Sequence, residues 1–164
     1  MVTVDEIRRW LDAVADPEIP VLSVTDLGIV RNVVWKGGEL VVTITPTYSG
    51  CPAMAVIRED IELMLATHGI RNVRVETSLS PAWTTDWLSE KGRANLRRFG
   101  IAPPGTKTIG ITQIGRMRRA EPDVACPHCG SGETRLTSQF GSTPCKALYR
   151  CSSCLEPFDY FKPH

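Results

Sequence analysis

The sequence lacks any apolar run long enough to cross a bilayer, and its net charge is only +1. No global field therefore gathers nucleic acid or an anionic membrane. The opening stretch MVTVDEIRRW carries Asp5 and Glu6 and no apolar centre. It does not read as a secretory signal, so a cytoplasmic protein is expected. There is no Gly-rich phosphate loop, no Ser-His-Asp set and no His-Glu-x-x-His motif. Histidines number only 3, which argues against a di-iron oxygenase site built from Glu-x-x-His pairs. Internal repeats and low-complexity tracts are also missing.

What the chain does have is an ordinary globular composition and six cysteines in 164 residues. In a cytoplasmic chain, six cysteines point to metal or thiol chemistry rather than disulfides. Five of the six follow residue 120. The expected organisation is a domain over 1–100, a linker with a basic segment over 101–122, and a cysteine-rich mini-domain over 123–164.

In the first domain, Val4, Ile7, Leu11 and Val14 recur at helical spacing, which predicts a helix over 4–15. Thr3 and Glu6 are placed as its capping box, and Asp16-Pro17 stops it. Residues 29–35 and 40–45 are rich in β-branched side chains, with Lys36-Gly37-Gly38-Glu39 between them, the pattern of a hairpin. Pro52 suits a first helical position, and that helix is expected to run to His68, with Gly69 as cap. A third strand is expected over 72–78 and a helix over 85–99. The order α-β-β-α-β-α predicts an α+β class, a small sheet covered by helices. The linker is expected to hold a short strand over 108–114. Its Arg116, Arg118 and Arg119 read as a solvated face or as a docking patch.

Cys126-x-x-Cys129 and Cys151-x-x-Cys154 carry the plainest chemistry. Two intervening residues let both thiolates of a pair face one ion. The 21 residues between the pairs suffice for a hairpin that joins them. Four thiolates complete a tetrahedral zinc shell with no open position, which is a structural site. Iron in the same shell, or an iron–sulfur cluster, uses the same donors. About forty residues bury too little surface to fold alone, so metal would stabilise the ribbon. Gly130 permits the tight turn after the first pair. His128 reads as an exposed knuckle residue, since four cysteines already fill the shell. Cys145 lies outside the pairs, either as a small buried side chain or as an auxiliary thiol with Lys146 favouring its thiolate.

Cys51 precedes Pro52 at the start of a helix, where N–H groups and the helix dipole favour a thiolate. Asp16 and Glu18 are the other groups of matching chemistry in this domain. The alternative is that Cys51 packs and Asp16 turns the chain. Tyr48, Trp83 and Trp87 could stack on a planar ligand or fill a core.

Three motifs now bring in a resemblance: Asp16-Pro17-Glu18-Ile19-Pro20, Ser23-Val24-Thr25-Asp26-Leu27-Gly28-Ile29-Val30, and Thr45-Pro46-Thr47-Tyr48-Ser49-Gly50-Cys51-Pro52. Together they resemble the metal–sulfur cluster assembly domain family, which includes iron–sulfur maturation factors. Pro81-Ala82-Trp83-Thr84-Thr85-Asp86-Trp87, followed by a ribbon containing Phe140-Gly141-Ser142-Thr143-Pro144-Cys145-Lys146, narrows this. With these segments the whole chain resembles the PaaD family, accessory components of the bacterial phenylacetyl-CoA ring 1,2-epoxidase system of phenylacetate catabolism. The resemblance implies an accessory protein that assembles or delivers iron or iron–sulfur centres and does not itself oxygenate. Its implied partners are the epoxidase subunits, including the iron–sulfur reductase, and a homodimer is left open. It also implies metal handling at Cys51, Asp16 and Glu18, a structural zinc in the ribbon, and a transient iron or iron–sulfur cargo. The competing expectation is a structural component that only docks partners.

Overall fold

The computed structural model describes residues 2–105 and 123–163. It is an α+β protein of two compact units, one running to Leu96 and one from Arg97 to Pro163. The expected strand over 108–114 and the arginines at 116, 118 and 119 lie outside the described residues.

The first unit opens with α1, Val4–Leu11. Its capping box forms as expected: the Glu6 N–H donates to Thr3 Oγ1 at 3.3 Å and the Thr3 N–H to Glu6 Oε2 at 2.8 Å. The helix stops at Leu11, earlier than periodicity indicated. Val14 is buried for another reason. Its carbonyl accepts from the Val24 N–H at 2.9 Å, and Ala15 bridges Ser23. An apolar residue at helical spacing is thus held by an extended pairing.

Strands β1, Val30–Lys36, and β2, Glu39–Ile44, form the antiparallel hairpin. Gly37 and Gly38 turn it with φ of 55° and 86°, a left-handed pair that suits glycine. Helix α2, Ala53–Thr67, buries Ile57, Ile61 and Leu65, one side chain per turn. Pro52 sits one position outside it, as N-cap. Strand β3, Val73–Thr77, then pairs parallel to β2, which places β2 in the centre of the sheet.

The helix expected over 85–99 is two elements. A 3-10 turn, Thr85–Trp87, precedes α3, Glu90–Arg98. The break is at Ser89, whose Oγ accepts from the Gly92 N–H at 2.8 Å and donates to Asp26 Oδ1 at 2.7 Å. A serine that satisfies an orphan N–H starts a helix rather than continuing one. The tryptophans before it are packing residues. Trp83 is buried and donates to the Leu27 carbonyl at 2.8 Å, and the Arg31 guanidinium lies 3.4 Å from the Trp87 ring centroid. Gly28, at φ 68°, passes so close to Trp87 that a Cβ would fall 2.5 Å from its carbonyl oxygen. That contact is why the Asp26-Leu27-Gly28 motif ends in glycine.

The second unit is a four-stranded sheet in the order β4-β7-β6-β5. Its strands are β4, Ile101–Ala102, β5, Thr134–Ser138, β6, Lys146–Cys151, and β7, Pro157–Phe161. Ile101 and Ala102 therefore belong to the sheet rather than to a linker. The core of this unit is small: Val124, Ala147, Tyr149, Phe158 and Tyr160 cluster around Cys126 and Cys151.

Candidate functional site

Two sulfur centres stand out, one in each unit. In the ribbon, a turn closed by the Gly130 N–H on the Cys126 carbonyl at 2.9 Å carries the first cysteine pair. Gly130 adopts φ 78° there. Cys151 ends β6, and its N–H donates to the Glu156 carbonyl at 3.0 Å, turning the chain through the second pair. Ser131 Oγ and Ser153 Oγ, 2.8 Å apart, tie the two turns together.

The four sulfurs of Cys126, Cys129, Cys151 and Cys154 all lie within 4.8 Å of one another. Cys126 and Cys154 are 3.8 Å apart, and Cys129 and Cys151 3.6 Å apart. A tetrahedron with metal–sulfur bonds of about 2.3 Å has edges of about 3.8 Å. The donor set thus fits a tetrahedral thiophilic cation. As thiols, the four share protons unequally. The N–H groups of Cys154 and Ser153 lower Cys151 to about 6, while Cys154 is pushed up to about 12, its own Glu156 N–H outweighed by burial and the surrounding sulfurs. Such a set holds one anion readily and four only around a cation.

His128 is exposed beside this site, its ring centroid 6.5 Å from that of Phe158 in an edge-on arrangement. A Cβ on Gly100 would come within 3.0 Å of that imidazole, so His128 packs against backbone. Cys145 is buried and stands outside the four-sulfur set, 3.0 Å from Thr143 Oγ1. The buried Lys146 ammonium expected to activate it is instead paired with the partly exposed Asp159 at 3.2 Å.

In the first unit, Cys51 is half-buried just before α2. Its N–H donates to the Tyr48 carbonyl at 3.2 Å, and its carbonyl accepts from the Met54 N–H at 3.3 Å. The fold brings Glu18 and Asp16 within electrostatic range of its sulfur. Asp16 is itself buried, and its Oδ1 accepts from the N–H groups of Glu18 and Ile19, each at 2.8 Å. That turn fixes the Asp16-Pro17-Glu18 corner.

The consequence reverses the expectation of an activated thiolate. Burial pushes the Cys51 thiol up, and Glu18 and then Asp16 push it further; the Ala53 N–H and the Tyr48 hydroxyl oppose this without winning. Loss of water around the sulfur is the largest of these effects, and the two carboxylates add to it, so the helix terminus does not hold a thiolate here. Cys51, Asp16 and Glu18 are not drawn to ligand spacing: among the described residues, only the four ribbon cysteines form a metal-sized cluster.

Sequence reasoning assigned no role to a polar network in the same unit. Asp12 Oδ2 and Lys91 Nζ are 2.7 Å apart, and Asp12 Oδ1 accepts from Thr25 and from Ser23, the latter at 3.0 Å. Lys91 also lies 3.6 Å from the buried Asp26. The Asp-Leu-Gly motif was the one signal that could have revealed it. Among the described residues, no helix is long and apolar enough to cross a membrane.

Comparison with known proteins agrees with this two-part build. Residues 4–77 match the iron–sulfur cluster assembly protein family, and residues 112–162 the PaaD zinc β-ribbon domain. A protein of Escherichia coli strain K12, named as a component of 1,2-phenylacetyl-CoA epoxidase, is 50% identical over 97% of this chain and 92% of its own length. A protein of Porphyromonas gingivalis named as an Fe-S protein maturation auxiliary factor is 38% identical over 57% of this chain and 90% of its own. The crystal structure of a domain of unknown function, DUF59, from Bacillus anthracis superposes with a TM-score of 0.53 at 27% identity, over 56% of this chain and 89% of that one. The chain belongs to the PaaD family of phenylacetyl-CoA epoxidase components, in which an iron–sulfur cluster assembly domain precedes a zinc β-ribbon.

Proposed function

We propose that this chain is an accessory protein of the phenylacetyl-CoA epoxidase system that helps to assemble or deliver its iron or iron–sulfur centres. The names of its relatives support an assembly-related role. The observation that carries the reading is the electrostatics of Cys51. A thiol that is half-buried and has two carboxylates in range resists losing its proton to water. It yields that proton when a cation arrives to offset the three negative charges. The sulfur supplies soft-metal affinity and the carboxylates supply charge. Such a group takes up metal in exchange for a proton and releases it when the proton returns. In this reading iron, or an iron–sulfur cluster, is cargo.

The four ribbon cysteines take the opposite part. We assign them a resident zinc ion that closes the tetrahedron and stabilises the ribbon, leaving no position for cargo. Cys145 is assigned no metal. The partners are the other epoxidase components, with the iron–sulfur reductase the first client to examine.

The test is Cys51→Ser in a strain that depends on the epoxidase. The expected result is a folded, zinc-loaded variant whose oxygenase or reductase contains less iron. Normal client metal content would overturn the proposal. A second reading is supported by the same raised thiol: Cys51 stays protonated and packs, and the chain only docks partners. That reading expects a stoichiometric complex with the catalytic subunits that survives Cys51→Ser with client iron unchanged.

A further inference from the structure

We propose that the outer face of the ribbon docks into the α2–β3 groove of a second copy of this chain. Two turns of the ribbon that ought to match differ in one residue. Gly130 and Leu155 each follow the second cysteine of their pair, and both adopt left-handed φ, 78° and 68°. Glycine accepts that conformation freely, whereas leucine is strained there. Leu155 is also 61% exposed, so burial in its own ribbon does not offset the strain. Beside it, Arg135 and Arg150 face each other across β5 and β6 on the exposed side of the sheet. Like charges directly opposite destabilise a sheet, and neither arginine has a carboxylate partner among the described residues. Arg150 Nε donates to the Leu155 carbonyl at 3.2 Å, joining these features into one patch.

The strained backbone and the exposed leucine bring this unit no burial, and the facing arginines meet no carboxylate among the described residues. They suit a partner with an apolar pocket and two carboxylates about 5 Å apart. The first unit has that arrangement. A groove of about 650 Å³ beside α2 is lined by Ala66 and Ile70, with Glu59, Glu62 and Leu63 along the helix and Arg71 as a cation. Glu59 and Glu62 are three residues apart on one helix face, about 5–6 Å between Cβ atoms, which matches the cross-strand spacing of the arginines. Leu63 is 65% exposed. The charges of the two units complement each other as well. Residues 1–96 carry nine Lys and Arg against thirteen Asp and Glu, and residues 97–164 carry ten against five. A ribbon entering the groove of the next copy is a head-to-tail contact, so it extends into a ring or a chain of subunits.

The test is sedimentation velocity on the full, zinc-loaded chain at low and high salt. Association is expected at low salt and is expected to fall as salt screens the charges. Arg135→Glu with Arg150→Glu, and separately Glu59→Lys with Glu62→Lys, should each weaken association by more than about tenfold. An equimolar mixture of the two variants should associate again, because each altered face meets its complement. Leu155→Gly should raise the ribbon's unfolding midpoint while weakening association, a pairing of effects that a purely structural leucine does not give. A monomeric wild type at low salt, a mixture that stays monomeric, or reversals that leave association unchanged would overturn the proposal.

Discussion

The two units hold their sulfur in opposite ways. The ribbon gathers four cysteines at the spacing of a tetrahedral shell and has only a small apolar cluster of its own around two of them. The first unit carries one cysteine at the edge of a core built from Ile7, Leu11, Leu40, Ile57, Ile61 and Leu65, all buried. Where apolar burial is short, ligand bonds supply the stability and the site is closed. Where burial suffices, the sulfur is left half-buried with two carboxylates in range, the setting that the proposed exchange requires. Under the proposed function, the four clustered cysteines hold the structural metal and the lone cysteine among carboxylates handles the cargo.

The largest effect is expected on removing metal. A chelator, or Cys151→Ser, should unfold the ribbon and leave the first unit folded. Structural zinc contributes roughly 10–16 kcal/mol in small ribbons, far more than this cluster can replace. Separate unfolding transitions followed by Tyr and Trp fluorescence would reveal it; survival of the ribbon without metal would break the contrast. The converse substitution, Ile61→Ala, should cost the first unit about 2–5 kcal/mol and leave zinc content unchanged, as read by urea unfolding and elemental analysis.

Substitutions around Cys51 should have smaller effects. Glu18→Gln and Asp16→Asn should each lower its thiol pKa, Glu18→Gln the more, seen as faster alkylation at pH 8 and an earlier alkaline midpoint. Since the folded thiol holds its proton above the ordinary value of 9.0, the wild type should keep this contribution below pH 9 and lose stability as pH rises through that range. Glu18→Gln should reduce that loss. Smallest is Lys91→Met. Lys91, then Thr25 and Ser23, hold Asp12 below the usual carboxylate range, so the loss should be under about 1 kcal/mol, present at neutral pH and vanishing as acid protonates Asp12.

Much of this was legible because it is local. Two C-x-x-C pairs, a Thr3–Glu6 capping box and a Gly-Gly hairpin each fix their outcome within a few residues. The end of α1 was not legible, since Val14 obeys the helical period yet is buried by pairing with Val24. The split at Ser89 needed Asp26, 63 residues away, to hold the serine as a cap. The state of Cys51 was misread for the same reason. A helix terminus is visible in sequence, whereas the burial of the sulfur and the two carboxylates brought in by the turn at Pro17 are not. Lys146 stands next to Cys145 in the chain, but it opens β6 and pairs with Asp159 of β7, a partner that sequence adjacency does not show.

The measurement that bears most directly on the division of labour is metal analysis of anaerobically purified wild type and Cys51→Ser after exposure to ferrous iron and sulfide. Wild type should carry one zinc per chain plus labile iron that a chelator strips without loss of zinc. Cys51→Ser should keep the zinc and lose the labile iron. Labile iron retained in Cys51→Ser, or iron that appears only as zinc leaves the ribbon, would contradict it.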